Sequence, residues 1–251
     1  MSGHSKWANI KHRKGAQDKR RGKIFTRIIK EVTVAVKESG ADPSTNPKLR
    51  MAIQNGKGEN MPKDTIERAI KKASGADAAN YQDMTFEGYA PHGIAVFVEC
   101  STDNSNRTVA SIRMIFSKYG GNLGTNGSLD FAFTRKGVFA IENENLTDWN
   151  LEELEMELID AGLDELEKTE EVTYVFSNFT DFGTMHKKLD ELKIEVKTAA
   201  PQHIPNTAET LNISHAKSVL HMIEKFEEDD DVSHVYHNLE LTDELIASLE
   251  D

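Results

Sequence analysis

Apolar residues recur only at helical spacing as far as residue 75, and beyond it a strand-like alternation enters, so the chain must build at least two kinds of substructure. Phe25, Ile28, Ile29, Val32 and Val36 follow i, i+3, i+4, i+7 and i+11, while Arg20, Lys23, Arg27, Lys30 and Lys37 fall on the other side at about 100° per residue. This predicts a helix from Gly15 to near Gly40 with a core face and a cationic face, ended by an Asp42-Pro43 turn. Asn46-Pro47 then supplies a capping side chain and a first-turn proline for a second helix. Pro62 opens a third, with Ile66, Ala69, Ile70 and Ala73 inward, Lys71 and Lys72 near its end and Gly75 as the stop. No helix-turn-helix with a short turn and a recognition helix is evident in residues 1–75.

After a small, polar linker at 76–82, strands are expected at 85–89 and 94–101 around the Ala90-Pro91-His92-Gly93 turn. A helix at 107–119 and a strand at 128–134 follow. The next segment reads strand 138–142, helix 151–161, strands near Leu166 and at 172–177, helix 181–192 and strand 195–199. That β-α-β-β-α-β order is ferredoxin-like. A strand at 209–213, a helix at 215–226 and a strand at 232–238 lack partners unless they return to the earlier sheet. The expected architecture is therefore α+β in three domains: a basic helical domain (1–75), an α+β domain (76–134 and 205–251), and a ferredoxin-like domain (135–204) inserted into the latter.

Charge divides at the same boundary. Residues 1–75 hold 18 basic and 7 acidic residues, a net of +11, and residues 76–251 hold 12 and 35, a net of -23. Ten of the cations lie in the first thirty residues with a single acid, Asp18. A field of one sign concentrated on one module attracts polyanions, while the acidic remainder repels them. Gly3-His4-Ser5-Lys6-Trp7-Ala8-Asn9-Ile10-Lys11-His12-Arg13-Lys14 mixes these cations with an aromatic ring and an amide. Lys and Arg neutralise phosphates, Trp stacks on unpaired bases, and Asn bonds base edges or sugar hydroxyls. An anchoring role for Trp7 against the body of the protein is the structural alternative. The expected nucleic-acid-binding residues are Lys6, Trp7, Asn9, Lys11, His12, Arg13, Lys14, Lys19, Arg20, Arg21, Lys23, Arg27, Lys63, Lys71 and Lys72.

Other chemistries find little support. Cys100 is the sole cysteine, so no intramolecular disulfide or CxxC pair can form, which suits a reducing compartment. The longest apolar run, 94–98, is far short of a membrane span, and the N-terminus lacks a secretion-signal core. An Arg-rich start could mimic a mitochondrial presequence, but acidic and apolar residues enter the same helix, so a cytoplasmic location is expected. The loop at 120–127 follows a helix and precedes a strand, the reverse of a phosphate-cradling loop, and reads as a helix stop with a sharp turn. His215 and His221, like His234 and His237, are spaced onto different faces, and no metal set, nucleophile and base pair or dinucleotide fingerprint appears. No cofactor, metal, small-molecule substrate or membrane partner is expected, and no enzymatic activity. Arg107 opposes the dipole of a helix start, so either an internal carboxylate or an RNA or protein contact must offset it. The acidic run 227–231 reads as an exposed turn, or as a competitor of nucleic acid for the basic arm.

These residues, together with Arg21-Gly22-Lys23-Ile24-Phe25, Asn60-Met61-Pro62-Lys63-Asp64, Glu87-Gly88-Tyr89, residues 103–108 and Gly120-Gly121-Asn122-Leu123-Gly124, resemble the YebC/PmpR family over nearly the whole chain. That family includes the mitochondrial translational activator of cytochrome c oxidase. Thr65 and His92 depart from its pattern, where Asn and Gly are common. The resemblance implies a helical N-terminal module, two α+β domains, and a regulator rather than an enzyme. It implies DNA as partner in a transcriptional regulator, or alternatively ribosomal RNA in a ribosome-associated factor that relieves stalling, for example at proline-rich stretches.

Overall fold

The computed structural model describes residues 17–76 and 78–250, and the side chains of all of these except 17–20 and 250. The fold is α+β, with eight α-helices and two four-stranded sheets among the described residues. Its helical start comprises α1 (Gln17–Ser39), α2 (Pro47–Gly58) and α3 (Lys63–Ala73). Asn46 links the first two. Its amide donates to Ala35 O and Gly40 O at 2.7 and 2.8 Å, and its Oδ1 accepts from Leu49 N at 3.0 Å, so one side chain closes α1 and caps α2. Residues 59–62 join α2 to α3, with Asn60 at φ 55° in the left-handed region.

By internal contacts the chain divides into two units, the first holding the described residues to 30, 79–134 and 203–250, the second 31–76, 78 and 135–202. The first unit is built on the sheet order β3-β1-β2-β8, from β1 (Gln82–Tyr89), β2 (Ala95–Thr102), β3 (Asn122–Leu123) and β8 (Val232–His237). All of its pairings are antiparallel, with Val98 opposite Phe86 on one side and Val235 on the other. Side chains alternate across a strand, so Phe86, Val96, Val98 and Val235 line one face. They pack with Ile112 and Phe116 of α4 (Ser105–Lys118), with Val219, Ile223 and Phe226 of α7 (Ile213–Glu227), and with Leu245 of α8 (Asp243–Glu250). The opposite face buries Ala95, Phe97 and Tyr236 under Leu129, Ala132 and Phe133.

In the second unit the chain order β4 (Phe133–Glu142), α5 (Leu151–Ile159), β5 (Leu163–Lys168), β6 (Val172–Asn178), α6 (Phe182–Glu191), β7 (Thr198–Pro205) gives the sheet order β5-β6-β4-β7. This is the ferredoxin-like arrangement. Phe139, Ile141 and Val175 pack against Leu154, Leu158, Met185 and Leu189 of its two helices. From α2, buried Asn55 holds β7: its amide donates to Ala199 O at 3.0 Å and its Oδ1 accepts from Ala199 N at 2.9 Å.

Three expected strands differ. Residues 128–132 are turns, and a long β4 begins only at Phe133. The cause is Glu87, buried on β1, whose carboxylate accepts from Gly127 N at 2.7 Å and Leu129 N at 2.6 Å and so satisfies backbone donors a ladder would have used. Gly88 beside it must lack a side chain, because a Cβ there would meet Asn122 O of β3 at 2.4 Å. The last strand of the ferredoxin-like unit is Thr198–Pro205, not 195–199; Ile194 and Val196 are buried ahead of it, so their alternation reports burial without a ladder. Residues 209–213 form only an isolated bridge, Glu209 to Leu239, since Asn212 caps α7 by accepting from His215 N at 2.9 Å. Helix α8 and the short β3 were not anticipated. His92 sits at φ 64°, the left-handed region that favours glycine, and its ring stacks on His215 at 3.7 Å.

Candidate nucleic-acid interface

The expected arm residues Lys6, Trp7, Asn9, Lys11, His12, Arg13 and Lys14 lie outside the described residues. Lys19 and Arg20 fall within α1, where the helix is described but not their side chains. From Arg21 onward the cationic face is visible. Arg21 is exposed, its guanidinium 5.5 Å from the centre of the Phe25 ring one turn away, an arrangement that splays the charge outward over an apolar support. Arg27 is partly buried.

Lys23 and Lys30 do not face open solvent as the helical wheel predicts. Lys23 is half-buried; its amine donates to Glu227 O at 2.8 Å and lies 3.9 Å from the Asp230 carboxylate. Burial lowers its pKa, against the opposing pull of Asp230, Glu228 and Asp229. Lys30 is only 8% exposed and donates to Ser101 O at 2.7 Å and Asp230 O at 2.6 Å, with Asp231 at 3.6 Å. The acidic run 227–231 is therefore not simply an exposed turn. Its last member, Asp231, is buried and acts as a hub: Arg107 grips both its oxygens at 2.8 Å and Thr108 donates to it at 2.9 Å. Burial alone would raise the Asp231 pKa, but these bonds and the charges of Arg107 and Lys30 outweigh it and hold the carboxyl below its ordinary value. For Arg107 the partner is thus internal, Asp231 with help from Asp103 at 2.9 Å.

In the second unit, Lys63, Lys71 and Lys72 are exposed on α3, where Ile66, Ala69 and Ala73 are buried on the other side. Lys63 lies 3.5 Å from Glu67, and Lys71 and Lys72 occupy the last turn, where cations complement the helix dipole. Arg68 belongs to the same exposed surface and was missed, although its spacing four residues before Lys72 could have shown it.

A second polar cluster was not foreseen. Glu99 on β2 receives Nε2 of His203 at 3.3 Å, Nδ1 of His234 at 3.2 Å and the Tyr236 hydroxyl at 3.2 Å. Burial would raise its pKa, yet the hydrogen bonds and charges of the two imidazoles depress it well below an ordinary glutamate's 4.5. A depressed folded-state pKa stabilises the fold above the unfolded value and loses that contribution as pH falls through the folded one. Below about pH 4.5 the wild type should therefore lose stability with falling pH more steeply than Glu99→Gln. Urea midpoints of both proteins through the acid range check this, and parallel curves would deny Glu99 the role.

The Cys100 thiol, pushed up to about 12 chiefly by burial, is not a reactive nucleophile at neutral pH. Among the described residues no group of three or more His, Cys, Asp or Glu could hold a metal ion, and no helix is long and apolar enough to cross a membrane.

A cationic helical start joined to two α+β sheets defines a class met in other proteins, and the relatives carry regulatory names. A protein of Amoebophilus asiaticus, named a probable transcriptional regulatory protein, is 50% identical over 95% of this chain and 98% of its own. One of the same name from Geobacillus thermodenitrificans is 46% identical over 96% and 97%. The crystal structure of a conserved hypothetical protein from Aquifex aeolicus is similar, with a TM-score of 0.81 and 35% identity over 94% of this chain and 97% of that one. The model of the TACO1/YebC protein N-terminal domain matches residues 5–76, and that of the TACO1/YebC second and third domain matches 81–239. The chain belongs to the TACO1/YebC family.

Proposed function

We propose that this protein is a nucleic-acid-binding regulator of gene expression, acting as a DNA-binding transcriptional regulator through the cations of its N-terminal segment and α3. The observation that carries this is the segregation of charge, ten cations against one acid in the first thirty residues of a chain whose net charge is -12. Such a segment gains affinity by releasing phosphate counterions, whereas the acidic remainder repels the same polymer. The names of its relatives support the transcriptional form of the reading. Trp7 and Asn9 among the cations favour a second form, contact with folded ribosomal RNA, because stacking on unpaired bases has no counterpart in duplex DNA.

Competition binding among a promoter fragment, random duplex DNA and ribosomes separates the two. A transcriptional regulator should prefer the promoter over random duplex by about a thousandfold at physiological salt. Ribosome association without promoter preference overturns that reading in favour of translation. In that case Trp7→Ala should weaken ribosome binding by about one to two decades and leave duplex affinity nearly unchanged.

A further inference from the structure

The chain contains two Asn-Gly pairs, Asn55-Gly56 and Asn126-Gly127. In such a pair the glycine nitrogen can attack the side-chain carbonyl carbon of the asparagine, because no Cβ on the second residue obstructs the approach. The two pairs stand in opposite settings. Asn55 is buried in α2 and its amide is committed to Ala199, donating to O at 3.0 Å and accepting from N at 2.9 Å. Gly56 beside it is fixed in the helix. Asn126 and Gly127 are both exposed, in the loop between β3 and β4, and among the described residues the Asn126 side chain has no hydrogen-bond partner.

What restrains the second pair is Glu87. Ser128 N donates to Thr125 O at 3.1 Å, and Gly127, at φ 84°, takes the third place of this turn, as type II geometry requires. The buried Glu87 carboxylate accepts from Gly127 N at 2.7 Å and from Leu129 N at 2.6 Å. Ring closure needs the Gly127 nitrogen to lose its proton and carry negative charge. A carboxylate bonded to that N–H opposes this twice, by holding the proton and by like charge.

We propose that Asn126 is a site of spontaneous covalent modification whose rate is set by the grip of Glu87 on Gly127. When the loop opens locally, hydroxide takes the proton from Gly127 N and the nitrogen bonds to Cγ of Asn126. The Cγ–Nδ2 bond breaks, and ammonia leaves with a proton from water. Water then opens the five-membered succinimide at either carbonyl, so that one water is consumed, one ammonia is released and an aspartyl or isoaspartyl residue stands at 126. The isoaspartyl form adds a carbon to the main chain of the turn. It also adds a carboxylate to a turn already flanked by those of Glu87 and Asp130, the latter 3.5 Å from where a Cβ on Gly127 would stand. A turn altered in this way no longer presents both amides to Glu87, and the change is a one-way mark of age.

The test keeps the full-length protein at mildly alkaline pH, folded and in urea, and follows the mass gain of amide-to-acid conversion at both pairs by peptide mapping. In urea both pairs should convert at similar rates. In the folded protein only residue 126 should convert, more slowly than in urea. Glu87→Gln should quicken it about tenfold, the factor that corresponds to losing one charge-assisted hydrogen bond. Should that variant fail to hold its fold, as circular dichroism would reveal, the wild type decides: sub-denaturing urea should raise hydrogen exchange at Gly127 and conversion at 126 together. No conversion at 126 in the folded protein, equal rates at 126 and 55, or an unchanged rate in folded Glu87→Gln overturns the proposal. So does exchange at Gly127 that rises without conversion.

Discussion

Asp231→Ala should lower the unfolding free energy of the full-length chain by about 3 to 5 kcal/mol, the cost of leaving a buried charge without its counterion. The residue is 5% exposed and faces Lys30, itself 8% exposed, from 3.6 Å. Arg107 can turn to water and Asp103, because half of its side chain is exposed, but Lys30 has no such escape. Two backbone carbonyls would remain to solvate its ammonium. Pairing Asp231→Asn with Lys30→Met should cost less than the sum of the single changes, since the double variant leaves no stranded charge. Urea unfolding of the wild type, the three single variants and the double variant measures both quantities. A loss below about 1 kcal/mol for Asp231→Ala, typical of exposed pairs, would mean the carbonyls suffice.

The second large effect concerns binding. Replacing Lys11, Arg13, Lys14, Arg20 and Arg21 with Ala should flatten the salt dependence of nucleic-acid affinity by about 3.5 to 4.5 in slope, and so weaken binding by about three decades at physiological salt. Titrations at several salt concentrations, with circular dichroism to verify folding, provide the check. Unchanged slope and affinity would remove the basic segment from the proposed function. Urea unfolding of the same variant separates a loss of binding from a loss of fold, so the two predictions can be judged separately.

The contrast between these groups shows what a sequence discloses. Caps are local, so Asn46-Pro47 announced α2 correctly: the side chain acts on the amide three residues on. The family motifs identified the α+β class for the same reason, being contiguous. Lys30 was misplaced because a helical wheel knows only one helix, and what buries this lysine arrives from a loop 200 residues away. Arg107 announced its need for a partner through its position at a helix start, yet that partner stands 124 residues distant. The Glu99 cluster, assembled from β2, β7 and β8, left no spacing to read. Alternation misled at 128–134, where Glu87 satisfies the backbone amides that a ladder would otherwise take.

The grip of Asn55 on Ala199 bears on how this chain avoids its own kind. β7 ends its sheet, and a terminal strand offers a template on which another copy can add by backbone pairing. With both backbone groups of Ala199 already committed to one amide side chain, an incoming strand would encounter an interrupted ladder there. Residue 55 therefore interrupts, at Ala199, the edge along which a second copy of the chain would otherwise extend the sheet.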